Sequence, residues 1–168
     1  MTATLESCNY ADIIVKGLTQ SVTQILSTMA LAEVQLDGVT HDVQAHAPSD
    51  LSGIMSIIGN NGEGTIVLSM SQALAKSLVA RLLGMTEAEI SFTDCFDGVG
   101  ELINMISGST KTYLSSHGQE SFRLSLPNIV VGSNHYIQNR TLDDTNYVRL
   151  AFTVNDQPLY IQVIHNMK

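Results

Sequence analysis

The sequence predicts an α+β fold, in which an antiparallel β-sheet carries long α-helices on one face. Two segments have apolar residues at the spacing of long amphipathic helices, and two pairs of apolar runs are joined by turn residues, as in β-hairpins. The predicted order is helix, hairpin, helix, long helix and strands, and no linker or low-complexity segment divides it. We therefore expect one domain over residues 1–168. Each half runs from a long helix into strands, which indicates a weak internal two-fold repeat.

The first half begins with a predicted helix over residues 10–31. Its apolar face is formed by residues at helical spacing, namely Ile13, Ile14, Leu18, Val22, Ile25, Leu26 and Met29. Residues 55–58 and 65–68 are predicted strands, because they are apolar runs on either side of an Asn- and Gly-rich stretch at residues 60–64. Such a stretch between two apolar runs is typical of a hairpin connection.

Capping residues delimit two further helices. Ser71 has the residue type of an N-cap, and Gly84 has that of a C-terminal stop, so we expect a helix that reaches Leu83. Ser91 and Asp94 have the spacing of a capping box, and they predict the start of the longest helix, which ends near residues 116–118.

The remaining segments are predicted strands. Residues 122–126 and 128–131 flank Pro127, and a proline in that context belongs at a sheet edge, at a bulge or at a strand entry. Residues 147–154 alternate between apolar and polar, and residues 159–164 return after a turn at residues 155–157, so we expect a terminal hairpin. Such a hairpin could pair with a second copy across an open sheet edge, which favours a homodimer.

Composition limits the function classes. The net charge of −8 argues against direct binding to nucleic acid or to an anionic membrane. Only 14% of the residues are charged while 44% are hydrophobic, which leaves room for an apolar interface and favours an oligomer. No apolar run is long enough for a transmembrane helix, and the N-terminus lacks the features of a signal peptide. Two isolated cysteines, Cys8 and Cys95, fit reduced thiols in a cytoplasmic protein, and Cys95 falls among predicted core residues.

The longest helix carries two opposite stripes. The apolar stripe is suited to a core and comprises Phe92, Cys95, Phe96, Val99, Leu102, Ile103, Ile106, Thr110, Tyr113 and Leu114. The second stripe comprises Asp97, Glu101, Asn104, Gly108, Lys111 and Ser115. Residues three apart are neighbours on a helix surface, so Glu101 and Asn104 are expected to reach the same small site on a partner. A plain solvated helix face is the alternative reading of this pair alone.

Three glycines lie in the same helix, at positions 98, 100 and 108. A glycine within a helix costs about 1 kcal/mol relative to alanine. We therefore expect either a partner or a neighbouring helix to approach the backbone closely here.

The pattern Asp97-x3-Glu101-x2-Asn104-x22-Pro127 resembles the signature of the CheC/CheX chemotaxis phosphatases, and the resemblance extends over nearly the whole chain. The CheX-like subtype has one such motif per chain, whereas the CheC type has two. If Pro48 is taken as the first-half counterpart of Pro127, the spacing places Val22 and Ile25 at the Glu and Asn positions. Both are apolar, so a single site is expected.

The resemblance implies a function and a set of roles. The substrate would be the aspartyl phosphate of a CheY-like response-regulator receiver domain, which supplies Mg²⁺ itself, so that this chain needs no cofactor of its own. Asn104 would orient the attacking water, and Glu101 would pair with the receiver's lysine. Asp97 and Lys111 are further candidates for partner contacts. CheX-type proteins are dimers, which agrees with the expected oligomer.

Two alternatives remain beside the phosphatase. A receiver-binding adaptor of the same fold would be non-catalytic, although it would not need a carboxamide at residue 104. An enzyme with a self-contained active site would need a cluster of acid and base groups that the spacing does not indicate. The histidines lack the spacing of a metal-binding pair, and no metal site is expected.

Overall fold

The structure is a computed structural model that describes residues 10–42, 49–60, 62–119, 121–137 and 145–166. Within these ranges there are three α-helices and seven strands. The helices are α1 (Tyr10–Met29), α2 (Gln72–Leu83) and α3 (Phe92–Ser116), and a short 3₁₀ turn covers Glu87–Glu89. The strands are β1 (Val34–Thr40), β2 (Ser49–Ile58), β3 (Glu63–Met70), β4 (Arg123–Leu124), β5 (Asn128–His135), β6 (Asn146–Val154) and β7 (Gln157–His165).

The helix ends follow from local hydrogen bonds, as predicted. The Ser71 hydroxyl accepts from the backbone N–H of Leu74 at 3.1 Å, and Gly84 ends α2 with a φ of 67°. At the start of α3, the Asp94 carboxylate accepts from the backbone N–H and from the hydroxyl of Ser91, at 2.7 and 2.6 Å. The Ser91 hydroxyl in turn accepts from the N–H of Asp94, which completes the predicted capping box.

All strands pair antiparallel in one sheet, in the order β1-β6-β7-β3-β2-β4, and β5 also pairs with β2. A two-fold operation about the β3–β7 pair exchanges the hairpin β2–β3 with the hairpin β6–β7, and exchanges β1 with β5. That exchange leaves the order β1-β6-β7-β3-β2-β5 unchanged, and among the described strands β4 alone has no counterpart. The predicted internal repeat is therefore present, and each half supplies an edge strand to the hairpin of the other half.

This topology corrects one expectation from the sequence. The terminal hairpin alternates in polarity and could have paired across an open edge. Instead, β6 lies between β1 and β7, and β7 lies between β6 and β3. Both strands of the hairpin have neighbours on each side, so neither has a free edge for pairing with a strand of a second copy. The edges of the described sheet are β1 at one side and β4 with β5 at the other.

β1 was not predicted from the sequence, because Asp37-Gly38 interrupts its alternation with a turn-like pair. The structure has a register shift between Leu36 and Gly38, where β1 pairs with β6. The Asp37 carboxylate accepts from the Thr153 hydroxyl of β6 at 2.7 Å. A bulge and a carboxylate protect this edge from further strand pairing. The strand predicted at residues 122–126 is also shorter, because only Arg123–Leu124 pairs with β2.

The hydrophobic core lies between the sheet and the three helices. Alternate residues of β6, from Val148 to Val154, are buried against it. α1 and α3 pack side by side, and Gly17 permits this because a Cβ there would meet the ring of Tyr113 at 2.8 Å. Cys95 is buried in the core as expected. Phe92 is an exception within the predicted stripe, since it lies in the first turn of α3 and is 52% exposed.

The structure shows that Pro48 is not the first-half counterpart of Pro127, contrary to the expectation from the sequence. Pro48 lies outside the described residues, between β1 and β2, whereas Pro127 directly precedes β5. Because β1 is the counterpart of β5, the position equivalent to Pro127 lies just before Val34. Val22 is fully buried in the core, so the register based on Pro48 does not describe the exposed face of α1. The expectation of one site is supported differently, since α1 contains neither Glu nor Asn.

Candidate functional site

A cleft of about 380 Å³ lies between α3 and the segment that leads into β5. All four residues of the sequence motif line it. The full lining consists of Phe96, Asp97, Gly100, Glu101, Asn104, Leu126, Pro127 and Ile129. The fold therefore brings Pro127 next to a carboxylate and a carboxamide that lie more than twenty residues earlier in the chain. A larger hollow of about 470 Å³ between the β2–β3 connection and the end of β7 contains no residue of the motif.

The polar side chains of the cleft are available to a partner. Asp97, Glu101 and Asn104 are exposed, as the stripe of α3 predicted. Glu101 and Asn104 are three residues apart, so their Cβ atoms lie about 5–6 Å from each other on the helix surface. Across the described ranges of the chain, none of the three side chains has a hydrogen bond or an ion pair. Both charged groups of the lining are acidic, so the cleft suits a partner that presents a cation.

Lys111 was a further candidate for partner contacts, and it does not line this cleft. It is half-buried on the same side of α3, about 10 Å beyond Asn104 along the helix axis. A contact from Lys111 would require a partner surface that extends for two helical turns.

The three glycines of α3 have different surroundings. A Cβ at Gly98 would lie 2.3 Å from a methyl carbon of Val79, so a neighbouring helix approaches there. A Cβ at Gly100 would lie 3.7 Å from Pro127 and 3.8 Å from Ile129, which is ordinary contact with the opposite wall of the cleft. A Cβ at Gly108 would meet no atom within 4 Å. Only Gly98 is explained by close packing, and Gly108 leaves open space one turn beyond Asn104.

The wall opposite α3 is fixed to the sheet by hydrogen bonds of Ser125. Its hydroxyl accepts from the backbone N–H of Ser56 at 2.9 Å and donates to the carbonyl of Leu126 at 2.9 Å. Its own N–H donates to the carbonyl of Ser56 at 3.0 Å. Pro127 follows at the entry of an edge strand, where a missing N–H is tolerated, as the sequence predicted.

Two apolar residues of the cleft were not recognised as site residues from the sequence. Phe96 was assigned to the core stripe, and it packs against the core while also lining the cleft. Its ring meets that of Phe92 edge-on, with 4.3 Å between the centroids. Leu126 was assigned to a strand, and it is 86% exposed. The Leu126-Pro127 pair was the available signal, since a proline disfavours regular strand pairing.

Two observations bear on other classes of site. In the described part of the chain, no group of three or more His, Cys, Asp or Glu residues is placed to hold a metal ion. None of the described helices combines the length and the hydrophobicity that a membrane crossing requires.

Comparison with known proteins identifies relatives. The family profile described as Chemotaxis phosphatase CheX matches residues 51–153. No curated protein matches the sequence. The crystal structure of the chemotaxis protein CheX from Vibrio vulnificus is similar with a TM-score of 0.82 and 23% identity, over 90% of this chain and 98% of that chain.

Two further structures are similar over comparable lengths. A chemotaxis protein CheX from Desulfovibrio desulfuricans has a TM-score of 0.79 and 27% identity, over 89% of this chain and 97% of that chain. A CheX-CheY-BeF3-Mg²⁺ complex from Borrelia burgdorferi contains a chain with a TM-score of 0.73 and 18% identity, over 90% of this chain and 97% of that chain.

Proposed function

This chain belongs to the CheX family of chemotaxis phosphatases, and we propose that it hydrolyses the aspartyl phosphate of a CheY-like response-regulator receiver domain. The proposal places the protein in a chemotaxis or related two-component pathway. One observation carries it. Glu101 and Asn104 lie side by side on an exposed face of α3, in a cleft that Pro127 completes, and neither side chain is bonded within the described chain.

Asn104 is assigned the role of orienting water. Its carboxamide both donates and accepts hydrogen bonds and does not titrate, so it holds a water molecule equally well at any physiological pH. The water oxygen forms a bond to phosphorus while the bond from phosphorus to the receiver's carboxyl oxygen breaks, and the products are a free carboxylate and inorganic phosphate. Such a transfer depends mainly on positioning and electrostatics, which one fixed side chain supplies.

Glu101 is assigned the role of docking. The cleft has two acidic side chains and no basic one, so a lysine beside the receiver's phosphoryl group is a suitable counterpart. An exposed carboxylate one helical turn from Asn104 would place the carboxamide against the phosphoryl group when that ion pair forms. Asp97, one further turn toward the start of α3, extends the acidic surface.

Mg²⁺ is assigned to the receiver and not to this chain. The Borrelia complex contains CheY, BeF3 and Mg²⁺ together with its CheX, which supports a receiver as the partner here. In that assignment the ion compensates charge on the phosphoryl oxygens, while this chain contributes Asn104 and Glu101 alone.

The test compares two variants in two assays. Glu101→Lys is expected to abolish docking, because truncation of one partner of a close charge pair already costs about 2–5 kcal/mol. Asn104→Ala is expected to keep docking and to slow phosphate release by about 10²–10³-fold, as for the loss of one positioned polar group. Binding is measured to a receiver loaded with Mg²⁺ and beryllofluoride, and phosphate release is measured with the receiver saturated.

Matched controls come from exposed positions elsewhere. Gln20→Ala removes an exposed carboxamide from the other long helix, and Glu87→Lys reverses an exposed charge outside the cleft. Both controls are expected to bind and to release phosphate as the wild type does. If Asn104→Ala releases phosphate at the wild-type rate, the catalytic role is wrong. Tight binding without any acceleration by the wild type would instead indicate a receiver-binding adaptor.

A further inference from the structure

The cleft has an apolar side in addition to its polar pair. Leu126 is 86% exposed, the highest exposure among the large hydrophobic residues of the described chain. It lines the same cleft as Glu101 and Asn104. An exposed leucine alone needs no explanation, so its surroundings decide whether it has a role.

The backbone around Leu126 is held on both sides. Two residues before it, Leu124 pairs with Ile57 of β2, and two residues after it, Asn128 pairs with Ile54 of the same strand. Three residues stand between these pairs and face only two residues of β2, so the segment forms a short arch with one extra residue, as in a β-bulge. Leu126 stands at the centre of the arch, where it is displayed to solvent.

Internal bonds make this arch rigid. The Ser125 hydroxyl links the N–H of Ser56 to the carbonyl of Leu126, at 2.9 Å each. Pro127 restricts its own φ and also narrows the conformations open to the residue before it. The backbone of Leu126 is therefore held in the free protein, and docking would require little additional ordering of that backbone.

We infer that Leu126 is an apolar anchor for the phosphorylated receiver, and that it inserts into an apolar recess next to the receiver's phosphorylation site. This inference rests on the proposed function and names a second element of the same interface. Leu126 is continuous with the proposed docking site, and the acidic lining selects a partner with a cation at the adjacent position. Phe96, which lines the cleft beside Asp97, extends the apolar surface.

The anchor determines affinity and not chemistry. A carboxylate that faces a lysine at an exposed site is screened by salt and gives limited affinity by itself. An exposed leucine on a backbone that is already held loses little conformational entropy when it is buried, and its burial adds affinity that salt does not screen. In this division of roles, Leu126 sets how tightly the receiver binds, and Asn104 acts on the phosphoryl group once the receiver is bound.

The test is a titration of the receiver loaded with Mg²⁺ and beryllofluoride. Leu126→Ala is expected to weaken binding by about tenfold or more, which is the behaviour of a central interface residue. Leu126→Met keeps an apolar side chain of similar volume and is expected to bind within about threefold of the wild type. Leu31→Ala is the matched control, since Leu31 is 75% exposed and does not line the cleft. In phosphate release, Leu126→Ala is expected to need about tenfold more receiver to reach half of its maximal rate, whereas Leu31→Ala is expected to need as much as the wild type.

Equal affinity of Leu126→Ala and Leu31→Ala for the receiver would overturn the anchor. So would a change in self-association of Leu126→Ala without a change in receiver binding, since the occupant would then be a second copy of this chain. Failure of the proposed function is distinguishable, because it appears as wild-type protein that does not accelerate phosphate release, whatever the Leu126 variants bind.

Discussion

Two glycines of α3 permit a prediction in which the same substitution has opposite effects. Gly98 is buried, and an added Cβ would lie 2.3 and 2.7 Å from the two methyl carbons of Val79 and 3.0 Å from its Cβ. Because all three atoms are close, rotation of the valine side chain cannot relieve the overlap. α2 would have to move away by about 1 Å to restore ordinary contact distances. Gly108 has no atom within 4 Å of an added Cβ.

The magnitudes follow from these distances. Gly98→Ala gains about 1 kcal/mol of helix propensity, but the severe overlap costs about 2–3 kcal/mol, the upper part of the usual range for overpacking, so a net loss of about 1–2 kcal/mol is expected. Gly108→Ala gains about 0.5–1 kcal/mol, because no contact opposes it. The melting temperature should fall by several degrees for the first variant and rise by a few degrees for the second.

The assay is urea unfolding of the wild type, both variants and the pair Val79→Ala and Gly98→Ala/Val79→Ala. Val79→Ala removes the methyl groups that an added Cβ would meet, so Gly98→Ala should be less destabilising in that background. The double-mutant cycle of the two substitutions should therefore show a coupling energy of about 1 kcal/mol. A Gly98→Ala variant as stable as the wild type, or a cycle without coupling, would refute the close approach of α2 to α3.

Three further predictions use other parts of the structure. Asp50 accepts hydrogen bonds from the backbone N–H groups of Gln72 and Asn134, and these bonds lower the pKa of its carboxyl. The ionised carboxyl therefore stabilises the folded state above the unfolded pKa of about 3.9, and this stabilisation is lost as pH falls through the lower folded pKa. Asp50→Asn should therefore destabilise the protein at pH 7 and much less at pH 2–3, and a constant difference between the unfolding curves would contradict this. Light scattering at micromolar concentration should give a mass of twice 18.2 kDa, because the low fraction of charged residues favours a homodimer. A monomer mass would exclude the homodimer. Titration should give one receiver per chain, since α1 has neither Glu nor Asn, and a stoichiometry of two would show a second site.

Local patterns in the sequence determined the elements that carry the site. The capping residues Ser71 and Ser91 fixed the starts of α2 and α3, because a cap hydrogen bond joins residues three apart. The helical period placed Glu101 and Asn104 on the exposed face of α3, since core residues alternate with them at the same period. The motif spacing identified the family that the profile match then showed.

Contacts between distant segments were decided only by the tertiary structure. The pairing of β1 with β6 was not predictable, because it joins strands more than a hundred residues apart and the bulge hides the alternation of β1. The interior position of the terminal hairpin was also missed. Alternation along a strand shows that one of its faces is buried, but it does not show which strands pair with it. The wall of the cleft is a third case. Leu126 and Pro127 stand opposite Gly100 because the pairings of β4 and β5 with β2 hold the arch there. Those pairings involve β2, about seventy residues earlier in the chain, so the residues of the arch do not by themselves predict its position.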